Sequence, residues 1–183
     1  MNGNAVKKLS EDDVAQLFQQ EHLVVSGKAS IATILFLRDR IRELEKTMHR
    51  VAKLKNEYTL LMTVPGIHKI LALTIMYETG PIERFAKVGN YASYCRCVGS
   101  RRLSNEKVKG KGNRKNGNKH LSWAYVEAAH HALRYEYVKR YYQRKMAKTN
   151  LIVARKTIAH KLARACYYII RDQKEFDPTR VFV

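Results

Sequence analysis

Ser104 stands between Arg101 and Arg102 on one side and Lys107 and Lys109 on the other. A hydroxyl among fixed cations can attack a phosphodiester while the cations hold the scissile phosphate and balance the charge that builds in the transition state, as phosphoryl transfer requires. Asn105 follows the serine directly, and Lys111, Arg114, Lys115 and Lys119 continue the positive run. Between Cys95 and Leu121 nine Lys and Arg residues oppose one acid, Glu106. Gly and Asn recur where backbone must bend, so the stretch reads as a long basic loop that cannot pack a core. It is suited to a polyanion, and nucleic-acid phosphate is the obvious one. On composition alone, though, a bystander is the plainer reading of Ser104, because loops are full of serines.

A second candidate is the turn in LLMTVPGIHKILALTIMYETG, Leu60 to Gly80, where an apolar helix end, Pro65-Gly66 and a second apolar stretch give a helix, hairpin, helix arrangement. In helix-hairpin-helix modules the hairpin glycine lets backbone N–H groups at the next helix N-terminus approach a phosphate, and His68 and Lys69 would add to such a contact. A plain interhelical turn uses Pro-Gly as well. Other clusters have blander explanations. Cys95-x-Cys97 has the wrong spacing for a zinc knuckle and lacks a second pair, so no metal site is expected. His130 and His131 are adjacent and face different sides of a helix. Tyr135, Tyr137, Tyr141, Tyr142, Tyr167 and Tyr168 could include a covalent nucleophile, but tyrosine-rich helices more often supply packing and stacking.

The whole chain agrees with a polyanionic partner. Its 183 residues carry 35 Lys and Arg against 16 Asp and Glu, a net charge of +19. A surplus of that size draws a protein to DNA, RNA or anionic membrane and makes binding salt-dependent. No apolar run reaches the ~18 residues a membrane span needs, and the N-terminus lacks a secretory core, so the expectation is a soluble, cytoplasmic and nucleoid-associated protein. Three cysteines do not suggest a disulfide scaffold.

The elements that must position these residues are mostly helical. Residues 1–29 form a lead-in with one short helix, which Ser10 caps with Asp13 before Val14, Leu17 and Phe18. From Ser30 to Tyr58, Ile34, Leu37, Ile41, Leu44, Met48 and Val51 fall at alternating spacings of three and four, a heptad stripe that reads as a coiled-coil arm joining two protomers or as one helix packing on its own domain. Ile82 to Tyr94 suggests a short helix or two. Leu121 to Met146 and Leu151 to Arg171 are strongly helical, and in the latter Leu151, Ala154, Ile158, Leu162, Ala165 and Ile169 make one apolar stripe. Asp177-Pro178 is expected to end regular structure. The expected fold is therefore mainly α: an N-terminal coiled-coil helix over 30–59, then a helical domain over 60–183 with a helix-hairpin-helix-like motif and a long basic loop.

From about Leu60 to Phe182 the chain resembles the C-terminal domain of insertion-sequence transposases of the IS-one-ten family, the bridge-RNA-guided serine recombinases. The resemblance rests on VPGI at Val64 to Ile67, ETGPIERF at Glu78 to Phe85, SYCR at Ser93 to Arg96, Ser104-Asn105, KGKGNRKNGNKHLSWAYVEAA at Lys109 to Ala129, RKMAKTN at Arg144 to Asn150 and AHKLARACYYIIRDQ at Ala159 to Gln173. It implies a DNA transposase or site-specific recombinase in which Ser104 forms a covalent phosphoserine link to DNA. The family's usual glycine after the serine is Asn105 here, which changes the backbone freedom of that position. The resemblance also implies DNA and a guide (bridge) RNA as partners and homo-oligomers through the arm. Family members begin with a RuvC-like domain whose carboxylates bind Mg2+. The acids Glu11, Asp12, Asp13, Glu21, Asp39, Glu43 and Glu45 lie in a capped helix or on heptad faces instead, so the expectation is an arm and serine domain without the metal domain and with no cofactor of its own. A catalytically inactive nucleic-acid-binding or regulatory fragment is the alternative, and an RNA-chaperone-like basic protein is a third reading.

Overall fold

The structure is a computed structural model that describes residues 3–6, 8–53, 55–98, 101–104, 107–111 and 116–182, with only the backbone path for 101–104 and 107–111. Two compact units divide it, residues 1–51 and 52–183.

In the first unit, α1 (Gly3–Val6) and α2 (Glu11–Leu17) precede a single long helix, α3 (Glu21–Ala52). The start of α2 follows from its capping box: the Ser10 hydroxyl accepts from the Asp13 N–H at 3.3 Å, and Asp13 accepts from the Ser10 N–H at 2.7 Å. That backbone hydrogen bond, more than the hydroxyl, holds the Asp13 carboxyl below its usual pKa. Val14 is buried, and the space above Gly27 of α3 accommodates it, since a side chain there would meet Val14 Cγ1 at 2.6 Å. The long helix begins nine residues before the expected Ser30 and ends at Ala52, so Tyr58 belongs to the next element. Heptad spacing marks the stripe but not its ends, because the first turns of α3, Glu21 to Ala29, lie ahead of the stripe's first residue, Ile34. Leu37, Ile41, Leu44, Met48 and Val51 are all exposed along it.

The second unit is a helical bundle built around α9 (Leu151–Asp172), which packs against α4 (Asn56–Leu61), α6 (Val88–Tyr94), α7 (Lys119–Ala132), α8 (Glu136–Lys148) and the 3-10 turn Ile82–Arg84. Asn150 starts α9 by accepting from the Val153 N–H at 2.9 Å. Of its expected stripe, Ala154, Ile158, Leu162, Ala165 and Ile169 are buried, whereas Leu151 at the first turn is exposed. Fully burying Ile158 or Leu162 stabilises the fold by roughly 1.5–3 kcal/mol each. The facing helix α7 buries Ala124, Ala128, Ala129 and Ala132, small residues that allow close helix approach.

α5 (Lys69–Thr79) follows α4 and packs on α4 and α7, the helix, turn, helix expected around Pro65-Gly66. The region from Leu121 to Met146 is two helices, broken where Tyr135 takes an extended conformation at the N-cap of α8. The C-terminal segment departs from expectation: Pro178 opens a one-turn helix, α10 (Pro178–Val181), capped by Asp177, and Phe182 is buried against Tyr137 and Tyr141. Proline at the first helical position costs nothing there because its missing N–H had no partner to lose.

Candidate nucleic-acid interface

Where sequence reading expects a loop, the backbone forms an antiparallel ribbon of β1 (Arg101–Ser104) and β2 (Lys107–Lys111). Arg101 lies opposite Lys111, Arg102 opposite Gly110, Leu103 opposite Val108 and Ser104 opposite Lys107. The register shifts between Arg102 and Leu103, which leaves Lys109 as the extra residue of a bulge. Ser104 thus sits at the far end of β1, directly across from a lysine position. Asn105, Arg114 and Lys115 lie outside the described residues.

The ribbon springs from a root that the helical core holds firmly. On the outgoing side α6 ends at Tyr94 and the chain turns through Arg96, a residue at φ 55. On the returning side Gly117 has φ 92, and a Cβ there would meet the Tyr94 carbonyl oxygen at 2.4 Å, so only glycine fits. The two sides are tied together. Arg96 donates to the Gly117 carbonyl through Nε at 3.2 Å and a terminal nitrogen at 2.8 Å, and the Asn118 N–H donates to the Tyr94 carbonyl at 2.7 Å.

Asn118 ties the root into the core by three routes. Its carbonyl oxygen caps α7, accepting from the His120 and Leu121 N–H groups at 2.8 and 3.0 Å. Its amide nitrogen donates to the Glu78 carboxylate of α5 at 2.6 Å and reaches the Tyr94 hydroxyl at 3.4 Å. That bond, followed by the Arg84 guanidinium, holds the Tyr94 phenol below its usual pKa. Arg84 lies over both Phe85 and Tyr94, 4.6 and 4.7 Å from their centroids. Glu78, Arg84, Tyr94, Arg96, Gly117 and Asn118 were not singled out as positioning residues from sequence. Asn118 had a readable signal, an N-cap residue just before the apolar face of α7.

Beneath the root runs a buried polar chain: Thr79 and Tyr91 hydroxyls at 2.9 Å, then Tyr91 and Tyr125 hydroxyls at 2.7 Å. It joins α5, α6 and α7. Burial pushes both phenols well above their ordinary pKa, so they stay neutral and serve as a structural link. The thiols respond alike: burial raises Cys95 and pushes Cys97 and Cys166 up to about 12, which leaves them protonated and unreactive near neutral pH. Among the other tyrosines, Tyr142 is buried and Tyr167 donates to the Phe85 carbonyl at 3.0 Å, both packing roles.

The Pro65-Gly66 turn has a packing role of its own. Both residues are buried, and Gly66 at φ 81 abuts α7 so closely that a Cβ would meet the Ala128 carbonyl oxygen at 2.1 Å and the Ala132 nitrogen at 2.6 Å. The room this glycine leaves is filled by a helix backbone. His68 and Lys69 beside it are exposed at the start of α5, and Lys119 is exposed at the start of α7.

Among the described residues no group of three or more His, Cys, Asp or Glu could hold a metal ion, and no helix is long and apolar enough to cross a membrane.

Residues 58–143, just under half of the chain and including the Pro-Gly turn, the ribbon and its root, match the transposase IS116/IS110/IS902 family, and the match supports a likeness of this part of the chain to the C-terminal region of such a transposase. No curated protein matches the chain.

Asn118→Ala removes the cap of α7 together with the Glu78 bond. The expected cost is about 1–2 kcal/mol in urea unfolding, and an unchanged midpoint would show that the root contributes nothing to stability.

Proposed function

We propose that the chain is the DNA-binding, serine-bearing part of a transposase that joins DNA through a covalent phosphoserine intermediate. The Ser104 hydroxyl attacks a DNA phosphorus, the new bond is serine oxygen to phosphorus, and the displaced strand oxygen leaves as a hydroxyl carrying the proton. A strand hydroxyl later attacks the same phosphorus and releases the serine. Arg101, Arg102, Lys107 and Lys109 hold the phosphate and balance its transition-state charge, with Asn105 alongside. Lys111, Arg114, Lys115 and Lys119 follow the nucleic-acid backbone, and a guide (bridge) RNA is the natural second polyanion for a chain of net charge +19. The observation that carries this reading is the register of the ribbon, with Ser104 at its end opposite Lys107, inside the segment matched to the transposase family. Pro65, Gly66, His68 and Lys69 provide a second contact in which the exposed His68 and Lys69, rather than the buried turn, meet phosphate.

In strand-exchange assays carried out with a full-length transposase, Ser104→Ala is expected to abolish recombination while DNA binding stays nearly intact. Full recombination by the alanine variant would remove Ser104 from the mechanism.

The exposed stripe on α3 supports a homo-oligomer joined through that arm, because five large apolar side chains at heptad spacing gain most by packing on a second copy. Sedimentation equilibrium should give an oligomer for the native chain and a monomer for Ile41→Glu combined with Leu44→Glu. A native chain that sediments as a monomer at all concentrations contradicts the arm's role.

A further inference from the structure

A groove of about 720 Å³ lies between α8, the outer face of α9 and the segment leading into α10, away from any residue assigned above. Its size falls in the ~300–1,000 Å³ range of ligand sites. Lys161, Arg164, Tyr168 and Arg171 line it at spacings of three, four and three, so they form one stripe along α9, about 15 Å long at 1.5 Å per residue. Lys145 of α8 and His160 join them.

The cations of this groove are poorly balanced. Asp172 is taken by Arg171 at 2.6 Å, and Asp177 by Arg180 at 3.2 Å and by the Thr179 N–H, leaving Glu175 as the remaining acid of the lining. Among the described residues neither Lys145 nor Arg164 has a carboxylate within ion-pair distance. Lys161 is half-buried, donates to the Val181 carbonyl at 2.5 Å and lies 4.8 Å from the Tyr141 ring centroid. Burial first, then the neighbouring Arg164 and Lys145, lowers its pKa, and burial followed by Arg164 and Lys161 does the same to His160. Like charges gathered in a recess repel one another in the free protein, and an anion in their midst reverses that cost.

We propose that this groove binds a single-stranded nucleic-acid segment, its phosphates against Lys145 and Arg164 and a base against Tyr168. An extended stripe fits a chain of phosphates better than one isolated anion. Tyr168 supplies the feature that favours unpaired bases. Tyr168 is 39% exposed, and its ring carries the Arg171 guanidinium at 4.9 Å, a cation-backed platform of the sort on which bases stack. The inference rests on the reading of the chain as nucleic-acid-binding for the choice of polyanion, but it concerns a site separate from the ribbon. DNA and RNA share the chemistry that the groove recognises.

The test measures fluorescence anisotropy of labelled single-stranded DNA, RNA of the same sequence and duplex DNA at several salt concentrations. It compares the full chain with a groove variant, Lys145→Gln with Arg164→Gln, and a ribbon variant, Lys107→Gln with Lys109→Gln and Lys111→Gln. Circular dichroism checks that each is folded. The groove variant should bind single strands about tenfold more weakly and show a salt slope lower by about one to two. Tyr168→Ala should weaken single strands by about tenfold and leave duplex binding little changed. Lys145→Arg with Arg164→Lys should restore binding, and the DNA and RNA arms show which strand is preferred. Native-like single-strand binding by the groove variant overturns the proposal, as does displacement of the label by polyglutamate as readily as by unlabelled oligonucleotide. If the ribbon variant loses both single-strand and duplex binding while the groove variant keeps both, the groove proposal fails while the proposed function stands. A native chain that binds no nucleic acid defeats both.

Discussion

The placement of the ribbon depends on how the root of a highly cationic segment is fixed to the helical core of the second unit. Nine basic residues in one short segment repel one another and have no apolar face to bury, so the segment cannot position itself. Position comes from the two ends. Arg96 clamps the Gly117 carbonyl, the Asn118 N–H bonds the Tyr94 carbonyl, and the Asn118 side chain ties α7 and α5 together at the same point. One asparagine therefore couples helix initiation to ribbon placement.

The hydroxyl chain from Thr79 through Tyr91 to Tyr125 crosses three helices, and a fully satisfied buried polar network specifies a single arrangement more sharply than apolar contacts alone. Phe85 and Tyr94 carry Arg84 on their faces at the same end of the bundle. The proposed attack of Ser104 on a phosphorus would gain from such a base, because small misplacement of a reacting group costs rate steeply.

Much of this fold was legible because helices announce themselves by period and by caps. The stripe of α9, the Ser10 capping box and the turn at Pro65-Gly66 were all readable, and each appears in the structure. The ribbon was not. Leu103 and Val108 are the only apolar residues in its two strands, so no alternation marks a buried face, and Gly and Asn nearby read as loop punctuation. The only hint was the two residues, Asn105 and Glu106, separating Ser104 from Lys107, a hairpin-like connection without the usual Asn-Gly. The root escaped notice for another reason: Glu78, Tyr94 and Asn118 are brought together by tertiary packing across up to 40 positions of sequence. Gly66 shows the converse, a residue whose need for glycine was visible but whose neighbour, the backbone of α7, was not.

The most direct test of a ribbon pinned to its core is amide hydrogen exchange at Asn118, whose N–H closes the root on the Tyr94 carbonyl at 2.7 Å. If the root is fixed, this amide exchanges as slowly as the interior amides of α7, and Arg96→Ala accelerates it while α7 keeps its protection. Fast exchange at Asn118 in the native chain, beside a well-protected α7, would mean that the ribbon hangs from an open hinge and that the core does not position Ser104.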